Sequence, residues 1–560
     1  MVNDPYYSIK KRVYESVTEK GVVVCDKLME STHDSMKRNE QLLMDILARN
    51  KDTEIGKRYD FASINSIDEY KKRVPLSTFD DYASYVERMA DDGQKDLMFA
   101  GEPVYYYMSS ATTGVSKKIP CSKEGLQFSE PYMTSQIYGL IYKDLGDIWS
   151  DGNTLAMAEV ETTLTKSGVG WGCFSGRLIR SLQKVARFIF CAPVEAMKPK
   201  PGTDRIYFYS VFALSEPRLS MFSSTFIPYM IEIMRYIEDN WERLAKDIED
   251  GELHEDTPLE KPEHDELKKY FKASPERAAQ IREAFNTEST EHFALRIWPN
   301  LKCIVTAAGG EYESYVEKLR YYVGSTPICY HGYVASEGVF SAPYKLDCPD
   351  SLLLVDGSFY EFVPEDETDL NKTLTIDRLE VGKAYEVIVT TLSGLYRYMM
   401  KDKIMITGRV NDCPTIRFMG RTLQQLNLVG EKIPISFVQD MVSRACRERG
   451  ADLTDFAVFN NLEARPLPRH DFFVELRNDT DAEALAAKIE EKLSENDFLA
   501  NYFEIGKVAH PKVFLVQKGT FFEFMQMRAA ANGMHATSQM KPIHLIQKPE
   551  HVEFILGKTI

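Results

Sequence analysis

The sequence predicts an α/β chain: a large N-terminal α/β domain with mixed sheets over residues 1–419, then a small C-terminal α+β domain over residues 420–560. Three observations carry that expectation. Segments 303–306 and 328–330 read as short buried strands around a helical stretch at 312–323, a β-α-β alternation. Segments 352–356, 359–363 and 385–391 read as antiparallel strands joined by Asp-Gly and Gly-Lys turns. Beyond Gly420 the pattern restarts, with helix 436–449, strand 472–476, helix 482–493 and strand 513–516.

The rest of the large domain follows in chain order. Residues 8–50 read as helical, with Val13, Val17, Leu28, Leu42, Leu43 and Ile46 spaced between charges. A β-type run at 104–108 ends in a Ser/Thr-rich turn, and a helix is expected from 123 to 140. Residues 226–248 have helical spacing, whereas 252–266 is acidic with two prolines and predicts a solvated loop.

Composition sets the function classes. A chain of 560 residues that is 44% hydrophobic and 11% aromatic can bury a sizeable core, which excludes disorder. With 68 Lys and Arg against 84 Asp and Glu, the net charge of -16 argues against a nucleic-acid-binding surface but not against a small anion in a local pocket. Nine cysteines without a C-x-x-C pair indicate neither a disulfide framework nor a zinc knuckle. The start, Met1-Val2-Asn3-Asp4, lacks a basic region before an apolar run, and no uninterrupted apolar stretch reaches the ~20 residues that cross a bilayer. The expectation is a cytoplasmic monomer, off the membrane, whose partners are small molecules.

Five segments can carry chemistry. Ser109-Ser110-Ala111-Thr112-Thr113-Gly114-Val115-Ser116-Lys117-Lys118 follows a strand and offers hydroxyls, backbone N–H groups and lysine charge to a polyphosphate, without Walker spacing. Tyr333-Val334-Ala335-Ser336-Glu337 puts a carboxylate just after a strand, suited to magnesium beside phosphate oxygens. Tyr396-Arg397-Tyr398-Met399-Met400-Lys401-Asp402 offers an aspartate to a vicinal diol such as ribose. Gly420-Arg421 reads as a hinge turn whose arginine can reach a nucleotide. Lys541, beside Pro542, reads as a loop lysine of the small domain. Read singly, each segment is equally an ordinary turn, strand end or solvated side chain.

In this order and spacing the set resembles the adenylate-forming superfamily of acyl and aryl ligases. Within it, the chain is similar to the Gretchen Hagen family of acyl-acid amido synthetases, known from plants and bacteria. Thr306-Ala307-Ala308-Gly309-Gly310, preceded by Ile297-Trp298-Pro299, also looks like that family's approach to the adenine pocket. The resemblance implies the adenylate-forming fold, ATP and magnesium. It implies a carboxylic acid activated as acyl-adenylate and passed to the amine of an amino acid.

It also implies roles. Ser109, Ser110, Thr112, Thr113 and Gly114 would grip phosphates with Lys117 or Lys118 as charge donor, Glu337 would hold magnesium, Ala308, Gly309, Gly310 and Tyr333 would shape the adenine and acyl walls, and Ser336 would also bind the nucleotide. Asp402 would bind ribose, Arg421 would support the nucleotide from the hinge, and Lys541 would be catalytic. The acyl-binding residues are not identified beyond an apolar pocket expected between 126–142 and 160–177. The chain departs from the family at Ala111, Ser116 and Met399-Met400-Lys401, where Arg-x-Gly precedes the aspartate in relatives. Gly420-Arg421 looks more like the hinge of the coenzyme A ligases. An acid–thiol ligase and a non-catalytic nucleotide-binding homologue are the alternatives.

Overall fold

The computed structural model describes residues 7–560 except 109–116, 151, 158–159, 161–162, 198–204, 255–260, 314, 422–424, 430, 432 and 532–541. The chain divides into two compact units. The larger is built from residues up to Phe418, and the smaller is Met419–Ile560 together with the short turn Gly310–Ser314.

Three sheets organise the larger unit. Asn153–Met157, Leu219–Phe226, Cys303–Ala307 and Ile328–Tyr330 form a parallel sheet in that order. Its strands are mostly buried along their length, as expected of a parallel sheet, although Leu219–Phe226 carries Ser220, Ser223, Ser224 and Thr225. A mixed sheet has the order Lys118–Cys121, Tyr105–Met108, Gly170–Gly172, Thr163–Leu164. The third sheet has six strands: Ser341–Ala342, Ser351–Leu353, Cys413–Arg421, Tyr398–Val410, Ala384–Thr391 and Ser358–Pro364. It supplies Leu352, Tyr360, Phe362, Val389, Ile404 and Ile416 to the main core.

Several expectations are corrected here. The helical run at 8–50 is two helices, Tyr7–Glu30 and Ser35–Asn50. The helix expected at 123–140 breaks at Thr134, after Pro131, into Lys123–Met133 and Ser135–Leu145. The first and last of these four helices cross at Gly21 and Gly139, where a methyl group on Gly139 would lie 2.1 Å from the Gly21 carbonyl carbon. The acidic stretch at 252–266 is not all solvated loop: Leu253 is buried and Lys261–Lys268 is helical. Asp356-Gly357 does not turn a hairpin. Ser351–Leu353 pairs instead with Cys413–Arg421, and helix Ser35–Asn50 fastens the connection through Asn39, whose amide donates to the Val355 and Ser358 carbonyls at 2.7 Å each.

The smaller unit is a four-stranded sheet, Lys512–Val516, Arg469–Leu476, Leu453–Asn461 and Leu545–Ile546, with helices Ile435–Glu448 and Ala482–Leu493. Apolar positions at helical spacing (Val438, Val442, Leu485, Ile489) meet Phe456, Phe472 and Val474 from the sheet. The α+β expectation for this region holds.

Candidate functional site

The strand Tyr105–Met108 delivers the chain to the Ser/Thr loop. Ser109, Ser110, Thr112, Thr113 and Gly114 lie outside the described residues, with Ala111 and Ser116. The flanks of the loop are described. Lys117 is half-buried with its ammonium 4.9 Å from the Phe79 ring centre, and Lys118 lies 5.1 Å from that of Trp171. At the other flank the Ser336 hydroxyl donates to the Met108 carbonyl at 2.9 Å. Ser336-Glu337 is the two-residue turn between the paired strands Val334–Ala335 and Gly338–Val339, so this bond puts the Glu337 backbone beside the point where the loop begins. The Tyr398 hydroxyl donates to Glu337 Oε1 at 3.2 Å.

Asp402 is placed by an irregularity in its strand. Between the pairs Glu386↔Lys403 and Ile388↔Met399, Met400, Lys401 and Asp402 stand opposite Val387 alone. Such a bulge re-aims side chains. Lys401 adopts φ +57, the left-handed conformation that favours glycine. The left-handed conformation is thus held here by a lysine. Asp402 is buried and accepts the Tyr333 hydroxyl on Oδ2 at 2.6 Å. Tyr333 is itself buried, its ring stacked on Phe418 at 5.2 Å and tilted against Phe340 at 5.1 Å.

Arg397, between the two tyrosines of its motif, has a function that sequence reasoning missed. Its guanidinium is 2% exposed and grips Glu361, 1% exposed, through two bonds of 3.0 Å. It also donates to the carbonyls of Lys71 and Val74 at 2.9 Å each. Thr373 adds a hydroxyl to Glu361 at 2.6 Å. The arginine of Tyr-Arg-Tyr is thus an internal anchor that fixes the start of the aspartate's strand.

Ala308 and Gly309 follow the parallel strand Cys303–Ala307, at the carboxyl end where ligands bind in such sheets. Ala308 is buried, and a methyl group on Gly309 would meet nothing within 4 Å. Gly310, at φ +61, opens a turn grouped with the smaller unit. Trp298 belongs to the core: it is fully buried and its indole donates to the Ala213 carbonyl at 3.0 Å. A cleft beside Glu337 is lined by Tyr107, Phe128, Ser129, Ser336 and Val339, two of them from the helix expected to border the acyl pocket.

The turn expected at Gly420-Arg421 is corrected, while the division between the two units falls beside it, after Phe418. Both residues end the strand Cys413–Arg421, with Gly420 at φ +115 and Arg421 half-buried. Lys541 lies outside the described residues, but the elements around 532–541 are well anchored. Before it, the Glu475 carboxylate caps helix Thr520–Ala531, accepting Gly519 and Phe521 N–H at 2.8 and 3.0 Å. After it, His544 stacks on Phe456 at 4.8 Å and meets Asp455 Oδ1 at 3.1 Å. Asp455 and Glu475 are register partners on adjacent strands. Two like charges can face each other there because donors engage each one.

A second buried carboxylate, Glu431, accepts Leu428 and Val429 N–H at 2.6 and 2.8 Å and lies 3.3 Å from His470. Burial pushes its carboxyl up, but the bonds from His470, Val429 and Leu428 outweigh that and hold it down at about 2.

Among the described residues, no group of three or more His, Cys, Asp or Glu can hold a metal ion. None of the nine cysteines is in a disulfide, and no described helix is long and apolar enough to cross a membrane. Glu337, a half-buried carboxylate at a turn, fits magnesium carried mainly by phosphate oxygens, the mode in which that ion is usually held.

Comparison with known proteins now bears on this geometry. Three sequence models match in tandem: GH3 family N-terminal domain over 24–328, GH3 family central domain over 351–421, and GH3 family C-terminal domain over 436–550. An indole-3-acetic acid-amido synthetase of Arabidopsis thaliana is 25% identical over 504 residues, covering 84% of this chain and 89% of that one. The 4-substituted benzoates-glutamate ligase of Arabidopsis thaliana is 24% identical over 550 residues, covering 91% and 94%. The solved structure of GH3.15 acyl acid amido synthetase superposes with a TM-score of 0.82 at 22% identity, covering 96% of each chain.

Proposed function

Since the chain belongs to the GH3 family, we propose that it is an ATP-dependent ligase that activates a carboxylic acid and joins it to the amine of an amino acid. The observation that carries this reading is the match along almost the whole chain: all three family domains in order, and relatives named as amido synthetases and an acid–glutamate ligase.

The chemistry has two halves. The acid's carboxylate attacks the α-phosphorus of ATP, forming acyl-adenylate and releasing pyrophosphate. The amine then attacks the acyl carbon, forming the amide and releasing AMP. Transfer at phosphorus asks mainly for positioning and charge neutralisation.

The residues divide that work as follows. The loop from Ser109 to Lys117, with Ser110, Thr112, Thr113 and Gly114, wraps the β- and γ-phosphates. Ser336 ties the Glu337 turn to the base of that loop. Glu337 would hold magnesium, which when bound neutralises phosphate charge. Asp402 takes the ribose hydroxyls, held in place by Tyr333. Ala308, Gly309 and Gly310 border the adenine, and Arg421 supports the nucleotide from the start of the smaller domain, residues 420–560. Lys541 brings its ammonium between the acyl carboxylate and the α-phosphate. Both half-reactions use small molecules that a cytosolic monomer meets directly, and reduced cysteines suit that compartment. Phe128, Tyr107 and Val339, which line the cleft beside Glu337, offer the apolar surface that a hydrophobic or aryl acid would need.

The test is pyrophosphate release with ATP and magnesium over a panel of aryl, indolyl and fatty acids, comparing the natural chain with Lys541→Ala. Acid-dependent release should fall by a factor of about 10² to 10³ in the variant, as for loss of one charge-stabilising donor. Release unaffected by the substitution would remove Lys541 from the mechanism. Absence of release for any acid, with ATP shown to bind, would leave a nucleotide-binding homologue. AMP release from preformed acyl-adenylate accelerated by coenzyme A but by no amino acid would make the protein an acid–thiol ligase.

A further inference from the structure

Each proposed nucleotide carboxylate stands four residues after a tyrosine, in Tyr333-x-x-x-Glu337 and Tyr398-x-x-x-Asp402. Neither tyrosine bonds the carboxylate of its own segment. They exchange partners: Tyr333 donates to Asp402 at 2.6 Å and Tyr398 donates to Glu337 at 3.2 Å. Two chain segments and two O–H to carboxylate bonds therefore close a ring.

Every corner of that ring is stiff. Tyr333 and Tyr398 are 6% and 5% exposed. The Tyr333 ring is held by Phe340 and Phe418, and its backbone N–H donates to Ser341 at 2.6 Å. The Tyr398 ring lies 6.3 Å from that of Tyr82, its backbone pairs with Val389, and Arg397 is anchored just before it. Glu337 sits on a two-residue turn, and Asp402 on the bulge beside left-handed Lys401.

From this exchange we infer that Tyr333 and Tyr398 are positioning residues that couple the ribose end of the nucleotide site to its phosphate end. Releasing either carboxylate relaxes a segment that also carries the donor to the other one. The coupling rests on the reading of Asp402 and Glu337 as nucleotide-binding groups. It goes beyond that reading by assigning the tyrosines a shared task and predicting energetic linkage between two ends of one ligand.

The experiment titrates the full chain by calorimetry with adenosine alone and with ATP plus magnesium. The variants are Glu337→Gln, Asp402→Asn, Tyr333→Phe, Tyr398→Phe and the double Phe variant. Phenylalanine keeps the ring packing and removes only the hydroxyl, and a thermal midpoint for each variant confirms folding. Glu337→Gln should weaken ATP with magnesium and leave adenosine within about twofold, whereas Asp402→Asn should weaken adenosine about tenfold. Tyr398→Phe should weaken ATP with magnesium about tenfold and adenosine about threefold, although its hydroxyl serves the carboxylate at the phosphate end.

The double Phe variant should lose less than the product of the two single losses. Normal binding in both carboxylate variants would overturn the nucleotide assignment itself. Weakened binding in those variants, with Tyr398→Phe leaving adenosine unchanged, would overturn the coupling alone. Should Tyr333→Phe not fold, the adenosine titration of Tyr398→Phe decides.

Discussion

Buried or half-buried carboxylates serve both units, but they are held in different ways. In the larger unit, phenol hydroxyls of Tyr333 and Tyr398 engage Asp402 on Oδ2 and Glu337 on Oε1. In the smaller unit, Glu431 and Glu475 each spend both oxygens on backbone N–H groups of one local segment. A carboxylate has about four acceptor positions, and a hydroxyl from another chain segment fixes its orientation. Two backbone donors turn it into a cap for the chain itself. The difference separates carboxylates oriented by side-chain hydroxyls from carboxylates that fold a loop or a helix end, and burial alone would not make that distinction.

The largest expected effect tests what holds the first kind in place. Arg397→Met leaves Glu361 buried without its guanidinium partner, and breaking a buried pair from one side costs about 3–5 kcal/mol. Denaturant unfolding should show that loss in the larger unit, while amide exchange in strands Leu453–Asn461 and Arg469–Leu476 stays at the natural rate. Equal loss of protection in both units would mean that the anchor serves the whole chain rather than the aspartate's strand.

Acid should separate the two kinds as well. Glu431 is held at about 2 against its ordinary 4.5. A carboxyl lowered on folding stabilises above its unfolded value, and that contribution disappears as pH falls toward the folded value. A carboxyl lowered this far contributes roughly 3 kcal/mol at neutral pH, lost between about pH 5 and pH 2. Unfolding of the smaller unit, followed at several pH values, should therefore weaken more steeply on acidification than in Glu431→Gln. Parallel curves for the two proteins would show that the cap contributes no charge-dependent stability.

The contrast also explains what the sequence could and could not tell. The segments 333–337 and 396–402 stood out because short motifs carry residue type and spacing together. Their exchange of partners did not, since it depends on a bulge and on a pairing between segments 65 residues apart. Arg397 read as ordinary because nothing local announces Glu361. Helices 482–493 and 436–449 were legible from their period, whereas strand Leu453–Asn461 was missed: its burial does not alternate, and Thr454 and Asp455 sit at an irregularity in the pairing. The hinge turn at Gly420-Arg421 was inferred from glycine, yet glycine at φ +115 also ends a strand. A tyrosine four residues before each acid was the available signal for the brace.

The smallest expected effect sharpens the account of Asp402. Lys401 holds φ +57, where a side chain costs about 1 kcal/mol or more relative to glycine. Lys401→Gly removes that cost in the folded chain but adds freedom to the unfolded one, and the first term is the larger at positive φ. The variant should gain up to about 1 kcal/mol in denaturant unfolding of the larger unit. Lys401 is exposed while Asp402 is held by Tyr333, so ATP affinity should stay within about twofold. A gain in stability with unchanged affinity would show that the bulge, and not the residue occupying its strained position, sets the aspartate. A stability gain accompanied by weaker ATP binding would instead assign Lys401 a direct part in holding the nucleotide, and the lysine would then be a substitution retained for the ligand at the expense of the backbone.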